Sequence, residues 1–197
     1  MELYVVGPRD KGKYPTNNVI MTVSRSTTWS SGLSPFYLGP CTTYDGTIAQ
    51  NVENLWQYAK VYTCHLDDNG DPSPAYYDWR NRGFANPKAQ RYPMGKGASP
   101  EYSYWNGEKL SYVEARKKIY IPFYYNAVRR TPAFTNLEME YMYGEQDLYL
   151  WDFDGYNHKA LDMSYDEVVN SETKKMGHAF VLAMALEGFT KYLKEAT

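Results

Sequence analysis

Short apolar segments alternate with polar turns along much of the chain. Residues 2–6 and 19–23 contain β-branched side chains and are bounded by Gly, Pro and Asn, which predicts two short strands. Residues 147–151 alternate between side chains of different polarity, which predicts a third strand. Residues 67–74 and 86–100 are rich in turn-forming residues, so we expect loops there.

Three segments have the spacing or the capping residues of helices. Asn51 is a good N-cap for a helix that reaches about residue 62, with an apolar stripe of Val52, Leu55, Trp56 and Ala59. Ser111 and Glu114 predict a capping box for a second helix, which Pro122 should end or kink. A long closing helix is predicted over residues 172–195. Strands and helices follow one another without a βαβ rhythm, which predicts an α+β fold.

The length and composition indicate one domain. The chain has 197 residues, of which 43% are hydrophobic and 22% are charged, so it can bury one substantial core. No run approaches the roughly 20 apolar residues of a membrane span. Residues 1–13 mix charges with a proline, unlike a secretory signal. We therefore expect a cytoplasmic protein that does not enter a membrane.

The cysteines and histidines do not have the spacing of metal ligands. Cys41 and Cys64 are too few for a disulfide framework, and the three histidines stand far apart in the sequence. We expect reduced thiols, no structural zinc and no bound cofactor. The sequence also lacks a Walker A motif, a G-x-S-x-G motif and an H-E-x-x-H motif.

The charge argues against broad binding to nucleic acid, because that mode needs a strongly basic face. The formal net charge is −2 and the isoelectric point is near 5.9. Basic residues between positions 80 and 130 form either a local cleft or ordinary solvated surface. The 21 tyrosines are mostly packing residues, although some of their rings are available to stack on a base.

The first predicted helix carries the first candidate chemistry. Glu53, Gln57 and Lys60 are spaced at i, i+4 and i+7, so a carboxylate, an amide and an ammonium share one helix face. This face either lines a pocket or is an exposed polar surface with a weak attraction between Glu53 and Lys60. Helical periodicity alone does not decide between these interpretations.

The segments LSPFYLGP (residues 33–40) and YDGTIAQNVENLWQYAKVY (residues 44–62) resemble the opening of the NADAR family of N-glycosidases. In that family, a Leu-Ser-Asn-Phe-like turn precedes an Asp-Gly hairpin and a Glu-His-aromatic-aromatic-Gln-x-x-Lys helix. Glu53, Gln57 and Lys60 match this helix without a gap. Asn54 stands where the family usually has His, and Ala49 stands where it usually has Trp.

Later segments follow the family's order, and the resemblance covers about residues 33–193 with an insertion at about 67–80. These segments are residues 86–97, Trp105 with residues 115–124, residues 147–155, and residues 175–189. The resemblance implies one domain over residues 1–197, with a small mixed or antiparallel sheet packed against several helices. It also implies cleavage of an N-glycosidic bond, for example removal of ADP-ribose from guanine in DNA.

An N-glycosidic bond breaks through an oxocarbenium-like sugar, which a nearby carboxylate can stabilise. The resemblance implies this role for Glu53, while a raised pKa would instead suit Glu53 as an acid. The remaining candidates are a second carboxylate from Asp147, Asp152 or Asp154, a stacking ring at Trp105, and ligand contacts from Ser34, Phe36, Asn54, Gln57, Lys60, Arg91 and Arg116. For Trp105 the alternative is packing, and for Asp152 and Asp154 it is an acidic turn before Gly155.

Two other functions are compatible with the same residues. The first is a non-catalytic module that binds a nucleotide or a modified base in the same pocket. The second is a glycosidase that acts on a modified free nucleotide rather than on DNA. In each case the expected partner is an ADP-ribosyl or nucleotide-like ligand, with modified DNA as one candidate.

Overall fold

The computed structural model describes residues 1–194, and in this part the chain forms eight short strands and seven α-helices. The strands are β1 (Leu3–Val6), β2 (Val19–Met21), β3 (Cys41–Thr42), β4 (Ile48–Ala49), β5 (Lys60–Val61), β6 (Tyr102–Trp105), β7 (Glu108–Leu110) and β8 (Leu148–Trp151). The helices are α1 (Val52–Tyr58), α2 (Pro74–Ala85), α3 (Tyr112–Ala115), α4 (Ile121–Val128), α5 (Pro132–Tyr143), α6 (Tyr165–Asn170) and α7 (His178–Leu186). The predicted α+β class is confirmed.

The strands form three small sheets. In the first, β8 lies between β1 and β2 and runs parallel to both, with Leu150 opposite Val5 and Ile20. The pair β3–β4 and the sheet β5–β6–β7 are antiparallel. The predicted strands at residues 2–6, 19–23 and 147–151 are therefore confirmed, with small differences at their ends. The loop predicted at residues 86–100 is also confirmed.

Helix α1 begins as predicted but is shorter. The Asn51 side chain accepts a hydrogen bond from the Asn54 amide at 2.8 Å, which caps the first turn. The helix ends at Tyr58 rather than near residue 62, because Lys60 and Val61 pair with β6 instead. Lys60 therefore belongs to β5 rather than to α1, but it still follows Gln57 by about one helical turn.

The second predicted helix also begins as expected, since Ser111 and Glu114 form the capping box. Pro122 does not end it. The chain passes from α3 through a π-helical turn at Arg116–Tyr120 and continues as α4 to Val128. Proline lacks an amide hydrogen, and the wider turn directly before it accommodates that missing donor.

The closing helix is much shorter than the predicted range of 172–195, whose last residue lies outside the described part of the chain. Residues 171–177 form a loop, and α7 occupies only His178–Leu186. Gly188 follows with a φ of 72°, a left-handed conformation that ends the helix. Residues 67–80, where a loop insertion was expected, are also more regular, because residues from Pro74 onward belong to α2.

The helices and sheets share one hydrophobic core. It runs from Leu3 in β1 through Leu55 in α1 and Tyr124 in α4 to Phe180 in α7. Helix α7 packs on both α4 and β1, and α1 packs on α2. In the described residues, no helix is both long enough and apolar enough to span a membrane.

Candidate active site

A cavity of about 530 Å³ lies where α1, the π-helical turn, the end of β8 and the 171–177 loop meet. Its volume lies within the roughly 300–1,000 Å³ that is usual for small-molecule sites. Nine of the residues singled out in the sequence line it: Ser34, Phe36, Glu53, Gln57, Lys60, Arg91, Arg116, Asp152 and Asp154. The structure thus joins the α1 motif to the acidic turn after β8.

Glu53, Gln57 and Lys60 form a hydrogen-bonded chain along the cavity wall. The Lys60 ammonium donates to Gln57 Oε1 at 2.8 Å, and Gln57 Nε2 donates to Glu53 Oε1 at 3.0 Å. Because the ammonium can only donate, it fixes the orientation of the Gln57 amide. Oε2 of Glu53 then remains the oxygen that is free to meet a ligand or to carry a proton.

Glu53 is almost fully buried, with 6% of its surface exposed. Burial raises the pKa of Glu53, and this effect outweighs the hydrogen bond from Gln57 and the positive charges of Lys60 and Arg91. The α1 motif is therefore a cavity wall rather than an exposed polar face. Its carboxyl group is held in an environment that favours the neutral form.

The Lys60 ammonium lies over the ring of Trp56, 4.8 Å from the ring centre. Burial lowers the pKa of Lys60 to about 8, with Lys175 adding repulsion and Glu53 opposing the shift. Two positively charged side chains thus face the same space. This arrangement favours a negatively charged ligand group between them.

Asp152 and His178 form a buried ion pair beside the cavity. Nδ1 of His178 lies 3.0 Å from Asp152 Oδ2, and Nε2 donates to the Thr22 carbonyl at 2.8 Å. Burial opposes a charge on His178, but the Asp152 charge and both hydrogen bonds outweigh it and raise the pKa of His178. Both ring nitrogens face oxygen acceptors, an arrangement that favours the imidazolium form of His178.

The pairing also determines the state of Asp152. Burial favours the neutral acid, but the charge and hydrogen bond of His178 and two backbone amides lower the pKa of Asp152 to about 2. These amides belong to Ala179 and Asp154, at 3.2 Å each. A Cβ atom on Gly177 would overlap this carboxylate, so the close approach requires glycine. Both oxygens of Asp152 are therefore already engaged.

Asp154 is the less constrained carboxylate of the acidic turn. Its Oδ2 lies 3.4 Å from the Arg91 guanidinium, and both side chains are about one-third exposed. Arg91 also lies over the Phe153 ring, 5.1 Å from its centre. Arg91 and Asp154 form a charged rim at the cavity, while Asp152 belongs to its buried wall.

Tyr120 lines the same cavity as Glu53 and the acidic turn. It is buried in the π-helical turn, and its ring lies 5.1 Å from that of Trp56. Burial raises the pKa of Tyr120, and the charges of Asp152, Glu53 and Asp154 raise it further. The hydroxyl of Tyr120 is therefore neutral.

Two predicted catalytic residues lie outside this cavity. Asp147 accepts a hydrogen bond from the Glu2 amide at 2.7 Å and secures the start of the parallel sheet. Trp105 packs edge-on against Tyr44 and Phe123, with ring centres 4.9 and 5.3 Å away. The structure does not bring either residue to the cavity that contains Glu53, because β8 begins at the end far from Asp152 and the Trp105 ring packs in the core. Trp56 provides the cavity's indole.

Two predicted ligand contacts are occupied by the protein itself. Asn54 is fully buried, and its amide binds the backbone of Asn86, Lys88 and Gln90. Arg116 borders the cavity, but its guanidinium donates to the carbonyls of four residues: Val168, Val169, Ser171 and Lys174. Asn54 therefore holds the 86–90 loop, and Arg116 holds the 171–177 loop.

Within residues 1–194, no three side chains of His, Cys, Asp or Glu converge as metal ligands. Asp152 and His178 are hydrogen-bonded to each other rather than directed at a shared position that a metal ion could occupy. Cys41 and Cys64 are free thiols, the first buried and the second exposed.

Residues 9–166 match DUF6939, a family of unknown function. The chain belongs to this family. The matched part of the DUF6939 chain contains α1 with Glu53 and the strand end with Asp152 and Asp154, whereas His178 lies beyond it. No curated protein and no solved structure matches the chain.

Several residues of the DUF6939 cavity were missed by sequence reasoning. Trp56 was assigned to the apolar stripe of α1, although it follows Glu53 at i+3 and therefore shares its face. Tyr120 was not separated from the other tyrosines. His178 and Lys175 precede an apolar run, and no pattern in the sequence connects either of them with α1.

Proposed function

We propose that the protein is an N-glycosidase that hydrolyses the N-glycosidic bond of an ADP-ribosylated or nucleotide-like substrate without a metal ion. The observation that carries the proposal is the buried Glu53 carboxyl group, bonded to Gln57 and facing a cavity that also contains Asp154. The resemblance of the Glu53-Gln57-Lys60 motif to the NADAR family supports the same reaction.

Glu53 has the key catalytic role in this proposal. The sugar gains positive charge as the bond to the base breaks, and a carboxylate in a partly desolvated cavity stabilises that charge. A raised pKa also allows Glu53 to donate its proton from Oε2 to the departing base. In either case, Gln57 holds Oε1 and keeps the reactive oxygen in one place.

Asp154 is the better second carboxylate. Asp152 has His178 and two amides on its oxygens, so using it to activate water would break the buried ion pair. Asp154 has a single long contact to Arg91 and remains partly exposed. We assign Asp154 to the attacking water, and Asp152 to positioning His178 and the start of α7.

The ligand is proposed from the rings and charges of the cavity. Trp56 and Phe36 offer apolar faces for a base, and Lys60 and Lys175 offer charge for a phosphate. ADP-ribosylated DNA and a modified free nucleotide both carry these groups, so both are candidate substrates. We propose that the reaction takes place in the cytoplasm, where free thiols such as Cys41 stay reduced.

Product analysis tests the proposal. The protein is incubated separately with an ADP-ribosylated DNA oligonucleotide and with free nucleotides, and released sugar or base is detected by mass spectrometry. We expect release from at least one substrate with the wild type and almost none with Glu53→Gln. Calorimetry with ADP-ribose, a mononucleotide and ribose runs alongside. Tight binding of ADP-ribose without any product would contradict catalysis and favour the binding module.

A further inference from the structure

The π-helical turn contributes side chains to two separate cavities. Arg116 and Tyr120 border the cavity that contains Glu53, whereas Lys117 and Lys118 border a second cavity of about 500 Å³. The two share no lining residue among those the structure describes. The second cavity is also large enough for a small molecule.

Four lysines surround the second cavity: Lys117, Lys118, Lys191 and Lys194. Its other described lining residues are Trp105, Asn106, Glu108, Pro122 and Tyr192. Glu108 is the single carboxylate among them. The lining thus combines a strong positive charge with an apolar wall, in a protein whose formal net charge is −2.

Carboxylates neutralise only part of this charge. Lys118 pairs with Glu108, and Lys191 pairs with Asp166 at 2.8 Å. Lys117 donates a hydrogen bond to the neutral amide of Asn170. Asp166 attracts the Lys117 charge but does not form an ion pair with it. No acidic partner of the Lys194 ammonium is found in residues 1–194. Among residues 1–194, Lys117 and Lys194 therefore form no ion pair with a carboxylate.

We propose that this second cavity binds a phosphate monoester, such as a nucleoside monophosphate, through Lys117 and Lys194. A phosphate monoester carries nearly two negative charges at neutral pH and offers several acceptor oxygens, which match two ammonium groups. Pro122 and the rings of Trp105 and Tyr192 provide apolar surface for the organic part of the ligand. This site does not depend on the proposed glycosidase activity.

Two tryptophans report separately on the two cavities. Trp56 borders the first and Trp105 borders the second, so their indole N–H signals distinguish binding at each place. The five tryptophan signals are assigned with Trp56→Phe and Trp105→Phe variants. The protein is then titrated with adenosine 5′-monophosphate, inorganic phosphate and adenosine at constant ionic strength.

We expect the Trp105 signal to move saturably with the monophosphate, more weakly with phosphate, and not with adenosine. In the variant Lys117→Gln/Lys194→Gln, the affinity for the monophosphate, measured from the Trp105 signal, should fall about a hundredfold. Each charged contact contributes about tenfold to this affinity. The control Lys11→Gln/Lys13→Gln changes two exposed lysines that line neither cavity, and it should titrate like the wild type.

An unmoved Trp105 signal would overturn the proposal. The proposal would also be overturned if added chloride moved the Trp105 signal as much as the monophosphate does. The same holds if the Lys117→Gln/Lys194→Gln variant titrates like the wild type. Failure of the proposed glycosidase would appear elsewhere, in the product assay and at Trp56, so the two proposals are tested independently.

Discussion

Within residues 1–194, one carboxyl oxygen of Glu53 has a hydrogen-bond partner and the other has none. The oxygen that contacts the protein is thus different from the one that can take part in chemistry. Gln57 donates to Oε1 at 3.0 Å, and Oε2 is free to act. Glutamine at position 53 can keep an oxygen acceptor toward Gln57, but it cannot ionise or donate a carboxylic proton. Folding and turnover should therefore respond differently to the same substitution.

We expect Glu53→Gln to lower turnover at least about 100-fold, which is the usual contribution of acid–base groups, while the thermal unfolding midpoint changes little. Steady-state kinetics and calorimetric melting measure the two effects. The matched control is Asp147→Asn, which removes a carboxylate outside the cavity. Full activity of Glu53→Gln would remove Glu53 from the mechanism.

The pKa of His178 should be shifted in the opposite direction from the pKa values of His65 and His158. Burial lowers the pKa of His65 and of His158, whereas the Asp152 charge reverses the effect of burial and raises the pKa of His178. Nuclear magnetic resonance of the imidazole rings should show His178 titrating above pH 6.5 and the other two below it. In Asp152→Asn, the charge of Asp152 is lost while the burial of His178 and its hydrogen bond to Thr22 remain, so the pKa of His178 should fall.

The raised pKa of His178 also determines how the stability of the fold changes with pH. His178 stabilises the fold fully below pH 6.5, its unfolded value, and this contribution is lost as the pH rises through the higher folded pKa. Asp152 contributes above pH 3.8 and loses its contribution as the pH falls toward about 2. Urea unfolding at several pH values should show both losses, and a flat profile would contradict the ion pair.

The 171–177 loop is held in place by one side chain from another element. Arg116 donates to four carbonyl groups in and before this loop, over distances of 2.8 to 3.1 Å. The loop in turn provides Lys174 and Lys175 to the cavity wall. The π-helical turn therefore supports the cavity through Arg116 as well as through Tyr120.

We expect Arg116→Lys to lower the free energy of unfolding by about 2 kcal/mol or more, because a lysine cannot reach all four buried carbonyls. Amide hydrogen exchange in residues 171–177 should accelerate, and KM should rise more than kcat falls. Arg9→Lys, at an exposed position in the first 3-10 turn, is the control. Unchanged exchange in the loop would show that Arg116 does not hold it.

The arrangement of donor groups across the fold bears on the mechanism. His65 packs against Trp79, His158 against Tyr165, and His178 is paired with Asp152. A metal ion that activates water needs about three converging protein ligands, and residues 1–194 bring none together in this way. The acidic turn offers mainly Asp154 to a cation, since Asp152 is engaged.

We therefore expect glycosidase activity to survive exhaustive treatment with EDTA. A zinc-dependent hydrolase treated in parallel confirms that chelation is complete. Loss of activity that magnesium or zinc restores would refute the metal-free mechanism, and it would reassign Asp154 from water activation to metal binding.

Local patterns were sufficient for several features of this protein. The Asn51 cap, the Ser111–Glu114 capping box and the three strand positions depend on contacts within a few residues, so the sequence alone indicated them. The alignment of Glu53 with Gln57 also follows from helical spacing. The fold class was accessible for this reason, whereas helical spacing alone did not decide that Glu53 faces a cavity.

Contacts between distant segments could be decided only by the tertiary structure. The parallel insertion of β8 between β1 and β2 and the pairing of Asp152 with His178 join parts of the chain with no shared local pattern. The same holds for Arg116, whose carbonyl partners lie more than 50 residues away. The residue type of Arg116 suggested a contact with an anionic ligand. In the structure, α6 packs against the π-helical turn, and backbone carbonyl groups accept the hydrogen bonds of the guanidinium instead.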